Sequence, residues 1–292
     1  MRHTCQVTSQ PPNESPATEA ETRAALLERN IRPFTPVNKL FVQAPRGSES
    51  RHGPLAEFVR GRDLRALQAY LLIIGVNSSD VAGHGWSTTL PIKVWARAFD
   101  TTRHATDASA ATAVSKVLTR LEKRHLIERG RRGRSREIRV TLLREDGSGE
   151  PYTRPGKGNS DRFLKLPHAY WTDGWHEKLD LPATAMLLVA LHEKPGFELP
   201  TEYVPGWYGW SSDTAERGFK TLRELGLLEV YTRLKKAPLS PTGLTQVNQY
   251  YLLGAFAQAR PQPTLEDFLA QDPAIPAAVP SPAEMSREKT TA

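Results

Sequence analysis

The sequence predicts a mainly helical (α+β) fold with small β-hairpins, built as two tandem copies of one module between flexible ends. Three observations carry that expectation. Segments with helical apolar spacing are followed by short runs of two-residue period. Similar anchors recur in the same order in both halves. A chain of 292 residues is long enough for two ordinary domains.

Taken in order, residues 1–37 are rich in Pro, Thr and Glu and read as a flexible arm with one short helix around 17–29. The first copy, 38–146, opens on an extended stretch, Phe41-Val-Gln-Ala-Pro45. A buried helix over 64–74 follows, apolar nearly all round. A short second helix over 91–99 carries Pro91 at a tolerated first-turn position. In a third helix, 109–124, Val114, Val117, Leu118 and Leu121 share one face at i, i+3, i+4, i+7 spacing. Leu126-Ile-Glu starts a strand, and the alternation of Ile138, Val140 and Leu142 returns it.

Residues 147–159 hold four glycines and two prolines and read as a flexible or loosely docked linker. The second copy, 160–256, repeats the anchors. Phe163-Leu-Lys-Leu-Pro167 answers Phe41–Pro45, the helix from Asp180 answers that from Asp63, and Leu199-Pro200 answers Leu90-Pro91. Phe219-Lys-Thr-Leu222 and Leu227-Leu-Glu229 answer Leu118-Thr-Arg-Leu121 and Leu126-Ile-Glu128. The offset falls from 122 to 101 residues along the chain, so the first copy has the longer loops. Pro205-Gly206 interrupts the second helix of this copy, and Gly209 lies where a tight turn is needed. The tail, 257–292, is Pro/Ala-rich and reads as disordered, with one or two helical turns available at Thr264-Leu-Glu-Asp-Phe-Leu-Ala.

The net charge is +7, and residues 38–150 hold 20 basic against 12 acidic groups, so the excess sits in the first copy. That asymmetry points to a polyanionic partner. The outer face of the third helix offers Thr112, Ser115, Lys116, Thr119, Arg120 and Lys123, polar groups able to reach base edges in a major groove. The hairpin that follows carries Arg129, Arg131, Arg132, Arg134, Arg136 and Arg139 with one acid in eleven residues. So many like charges repel one another unless a polyanion neutralises them, and arginine suits bidentate phosphate contact. In the second copy Thr214, Arg217, Lys220 and Thr221 face outward with Arg233, Lys235 and Lys236 on the hairpin, but Asp213, Glu216 and Glu224 offset the helix charges.

The order of helices and hairpin, and above all the segment from Val114 to Arg129, resembles the recognition helix and first wing strand of winged helix-turn-helix proteins of the MarR and GntR type. The resemblance covers about 80 residues. It implies a third helix in the major groove and a wing on the adjacent backbone or minor groove. The tandem arrangement is similar to that of plasmid replication initiators.

The expected function is sequence-specific binding of double-stranded DNA, as a transcriptional regulator or, alternatively, as a replication initiator gripping repeated origin sites. A third reading is a winged-helix adaptor in which the second copy or the tail holds a protein partner; homodimerisation is compatible with each. No enzyme is expected, since none of the motifs HExxH, GxxxxGK[ST], GxGxxG and GxSxG occurs. One cysteine and eight scattered histidines suggest neither metal nor cofactor. No run approaches the ~18–20 apolar residues of a membrane span, and the start of the chain lacks the apolar stretch of a secretory signal. The expected location is cytoplasmic and nucleoid-associated.

Overall fold

The two halves of the chain are joined by a strand from each. In the computed structural model, which describes residues 15–77, 86–103, 105–131, 137–156 and 161–259, strand β1 (Phe34–Asn38) pairs antiparallel with β5 (Phe163–Pro167). The register runs from Phe34 opposite Pro167 to Asn38 opposite Phe163, centred on Pro36 and Lys165. Val37, Leu164 and Leu166 are buried beneath this ribbon. The described residues up to Gln258 cluster as one compact unit, and the buried side chains of both halves are continuous. The fold is a mixed one of helices and small antiparallel sheets. No helix among the described residues is long and apolar enough to cross a membrane.

Before the ribbon comes α1 (Glu19–Leu27), closed by a capping box in which Thr18 and Glu21 satisfy each other's backbone N–H groups. It buries Arg23, Leu26 and Leu27. The expectation of a flexible arm over 1–37 is therefore corrected for residues 15–37: an amphipathic helix and a paired strand dock them.

After β1, Asn38 caps a 3-10 turn at Lys39–Phe41 by accepting from Leu40 N–H at 2.9 Å. The strand expected at 41–45 is thus absent, and its place in the repeat is taken by β1. Phe41 turns inward instead and packs on Phe58 and Tyr70. Helix α2 (Leu55–Arg60) leads to α3 (Leu64–Val76), whose N-cap Asp63 accepts from Ala66 N–H. Strand β2 (Ser87–Pro91), α4 (Ile92–Ala98), α5 (Asp107–Lys123), β3 (Ile127–Arg131) and β4 (Glu137–Leu142) complete the half. Its sheet has the order β2-β4-β3. It has three strands where a two-stranded hairpin was expected, because Leu90 of β2 lies opposite Ile138 and both are buried.

The second half repeats this order. After β5 come α6 (Ala169–Thr172) and α7 (Trp175–Lys178), then α8 (Leu181–His192) capped by Asp180. Strand β6 (Phe197–Glu198), α9 (Val204–Tyr208), α10 (Ser212–Glu224), β7 (Leu228–Lys236) and β8 (Leu244–Leu252) follow. The sheet order, β6-β8-β7, matches that of the first half. Gly209 ends α9 at φ +87°, in the left-handed region that the tight turn requires. Its missing Cβ also matters, since one would lie 2.6 Å from the Arg60 guanidinium of the first half.

The stretch expected as a loose linker is docked as far as it is described. Leu143 bridges to Pro151, and Tyr152 is buried edge-on against Trp86. The tail from residue 260, including the segment at 264–270, lies outside the described residues.

At the junction Glu145 is buried and accepts from the backbone N–H of Asn38 at 3.0 Å, while Asn38 Nδ2 donates to Asp161 Oδ1 at 2.8 Å. Burial pushes the Glu145 carboxyl up from 4.5 to about 8. The folded chain therefore holds this proton more tightly than the unfolded chain. The contribution is fully present below about pH 4.5 and is lost progressively as pH rises to about 8. Urea denaturation of the full chain is expected to show stability falling by a few kcal/mol across that window. In Glu145→Gln, which keeps an oxygen for Asn38, the fall is expected to be clearly shallower; equal pH profiles would contradict the assignment.

Candidate nucleic-acid interface

Helix α5 starts at an N-cap, Thr106, which accepts from Ser109 N–H, and it buries Ala110, Val114, Val117, Leu118 and Leu121. Its opposite face is a stripe of Ser109, Thr112, Lys116 and Lys123, all exposed. Thr112 donates its hydroxyl back to the carbonyl of Ala108 at 2.9 Å, which leaves its oxygen as an outward acceptor. Among the described residues Lys116 and Lys123 have no ion pair.

The flanks of the stripe are engaged within the fold. Arg120 lies 2.7 Å from Asp63, the N-cap of α3, and Arg124 reaches the same carboxylate at 3.3 Å while lying over Phe58. A guanidinium held by a carboxylate that is only 10% exposed is a tie between helices. Arg129, expected on the hairpin, folds back over α5 instead. It pairs with Glu122 at 3.0 Å and donates to the Ser115 carbonyl and the Thr119 hydroxyl. The reason is local: β3 leaves α5 after a turn of three residues, so its first arginine lies over the last turns of the helix that bears Glu122. Arg139 is exposed on β4 beside Ser87. Arg132, Arg134 and Arg136 lie outside the described residues, as does the side chain of Arg131.

In the second half most of the corresponding cations are compensated. Arg217 pairs with Asp213 and Lys220 with Glu224, each one helical turn apart. Thr214 is taken up at the start of α10, where its N–H donates to Ser211, and Thr221 is half-buried. Arg233 and Lys235 both reach Glu198 of β6, at 2.7 and 3.0 Å, and the Arg233 hydrogen bond holds that carboxyl below its usual range. Lys236 has no ion pair among the described residues. The β7–β8 hairpin is long and leaves Tyr231, Leu234, Leu239 and Leu244 exposed.

Two further groupings come from the fold alone. Asp100, His176 and Glu177 bring ligand atoms within 4.8 Å of one another. The space between them is already served by cations, with Arg23 3.1 Å from Asp100 and Arg103 2.7 Å from Glu177. This is an ion-pair knot binding α1, the end of α4 and α7. The other grouping is a cleft of about 660 Å³ between the segment after β1 and the β6–α9 region. Its cations, among them Arg51 and Lys194, come from segments more than a hundred residues apart, and no sequence pattern marks them.

These placements separate two neighbours on α5. Arg120→Ala is expected to lower stability by about 1–3 kcal/mol, because it leaves a mostly buried carboxylate short of a donor. Lys116→Ala is expected to stay within about 0.5 kcal/mol of the parent chain. Urea denaturation measures both; equal losses would contradict the division of roles.

Comparison of the chain with protein-family models, with curated proteins and with solved structures finds no match.

Proposed function

We propose that the protein binds double-stranded DNA sequence-specifically through winged helix-turn-helix halves and acts as a transcriptional regulator. The observation that carries this reading is the outer stripe of α5. Among the described residues Lys116 and Lys123 have no ion pair there, and they lie directly ahead of the arginine-rich segment between β3 and β4. A helix about 10–12 Å across fits a major groove about 12 Å wide. The sheet order β2-β4-β3 beside three helices supports the winged form, with the β3–β4 turn as the wing.

In this account Thr112, Lys116 and Lys123 read base edges. Ser115 and Thr119 border the stripe. Arg120 and Arg129 hold α5 in place, a change from the base-reading and backbone roles that the sequence suggested. Arg131, Arg132, Arg134, Arg136 and Arg139 serve the phosphate backbone. The second half, where Arg217, Lys220, Arg233 and Lys235 are paired with carboxylates, adds less electrostatic attraction and suits a weaker DNA contact or a protein partner.

A replication initiator is the second reading, and the β1–β5 ribbon favours it. One compact unit carrying both halves suits a protein that engages two stretches of one repeated site.

The test is fluorescence anisotropy on duplex DNA over a range of salt. If about three to five phosphates are neutralised by the turn, log K falls with log salt at a slope of about −3 to −4.5. Replacing Arg131, Arg132 and Arg134 together with Ala should flatten that slope on every sequence. Lys116→Ala or Lys123→Ala should cost about 1–3 kcal/mol on the preferred site and less on random duplex. An unchanged slope removes the turn from the backbone, and equal losses on both duplexes remove α5 from base readout.

A further inference from the structure

The cleft between the halves has an electrostatic character that the DNA reading leaves unused. Arg46, Arg51, Arg162 and Lys194 line it, and none of them has an ion pair among the described residues. Lys39 lies deeper, donating to the carbonyl of His192, and burial lowers its pKa. The two acids on the wall are occupied elsewhere. Glu193 is bonded by His192 and by the Tyr208 hydroxyl, each at 3.0 Å, and Glu198 by Arg233 and Lys235. Arg46, Arg51, Arg162 and Lys194 therefore face one concavity without an ion pair among the described residues, while its two carboxylates are drawn to other cations, Glu193 to Lys39 and Glu198 to Arg233 and Lys235.

Arg51 is prepared for an anion in a more specific way. Its guanidinium lies over the indole of Trp207, 5.2 Å from the ring centroid. The same loop is pinned by Gln43, whose amide donates to the Trp207 carbonyl at 3.2 Å. Stacking uses the face of a guanidinium and leaves its in-plane N–H donors for a pair of oxygens. The Nε of Arg51 is shielded from solvent and has no acceptor among the described residues. Leu40, Pro45, Phe197 and Leu199 supply an apolar wall. The volume, about 660 Å³, suits an organic molecule and exceeds what a lone phosphate fills.

We propose that this cleft binds a small phosphorylated organic ligand of nucleoside-diphosphate size, with Arg51 as its bidentate phosphate donor. Arg162 and Lys194 add charge at the rim, and the apolar wall takes the organic part. Because both halves line the cleft, the ligand stabilises their mutual placement and raises the melting temperature of the chain.

The experiment is isothermal titration of the full chain with ADP and, separately, with inorganic pyrophosphate, both without DNA, so that the outcome does not depend on the DNA reading. ADP is expected to bind more tightly than pyrophosphate and to raise the melting temperature. Arg51→Ala is expected to weaken ADP at least about tenfold, and Arg51→Lys is expected not to restore it, since an ammonium ion has no planar fork. The exposed pair Arg162→Glu with Lys194→Glu, which leaves the stacked arginine untouched, is expected to weaken both probes. Circular dichroism verifies that each variant is folded. Failure of both probes to bind at millimolar concentration would overturn the proposal, as would binding that neither set of variants alters. Pyrophosphate as tight as ADP would overturn the organic-ligand assignment. So would displacement of ADP by random-sequence duplex, which would make the cleft part of a nucleic-acid path.

Discussion

The pairing of β1 with β5 is the constraint on which the rest of the arrangement depends. An isolated two-stranded ribbon is marginal in water, so this one persists only by burying an apolar face. Val37, Leu164 and Leu166 supply that face, each worth roughly 1.5–3 kcal/mol when fully buried. Since α3 packs against β1 and α8 against β5, the buried helix of each half is referenced to the same ribbon. The later helices and sheets are then placed by packing on α3 and α8. Asn38 adds a polar lock at the end of β1, with its backbone held by Glu145 and its side chain by Asp161. Contacts such as Arg60 to the Gly209 carbonyl at 2.7 Å and Gln68 to the His176 carbonyl at 2.6 Å join the halves elsewhere along their boundary.

A second rule decides which of the many cations are free to act outward. The chain is rich in arginine, but a guanidinium beside a carboxylate is already satisfied. Asp63 takes Arg120 and Arg124, Glu122 takes Arg129, Glu198 takes Arg233 and Lys235, and Asp213 takes Arg217. The exposed pairs contribute little to stability, yet they cancel the local field. Among the described cations without an ion pair, Lys116 and Lys123 lie together on the stripe of α5, and Arg46, Arg51, Arg162 and Lys194 lie together in the cleft between the halves. Net charge alone blurs this distinction, because it counts a paired arginine and a free one alike.

The sequence made the repeated order of elements legible because amphipathic spacing and capping residues are local. Asp63 and Asp180 cap the buried helices where the chain pattern placed them, and Gly209 makes the expected turn. The strand at 34–38 was hidden because its partner lies more than a hundred residues away, and the apolar Phe41-Val42 nearby imitated a strand before turning into the core. Strand β2 was missed for the same reason, since Ser87-Thr-Thr-Leu has meaning only beside β4. Of the proposed site, the apolar face of α5 and the exposure of Thr112, Lys116 and Lys123 followed from helical spacing. The inward ties of Arg120 and Arg129 did not, because they depend on where Asp63 and Glu122 come to lie. The cleft cations, drawn from three distant segments, gave no signal at all.

The central claim is that the stripe of α5 reads duplex sequence while both halves are held in one unit. The most direct measurement is selection of bound duplexes from a random pool by the full chain, compared with the chain carrying Lys116→Ala and Lys123→Ala. The expected result is one enriched motif for the parent chain, with preference lost at a contiguous group of positions in the variant. No enrichment, or an identical motif from both proteins, would contradict the account.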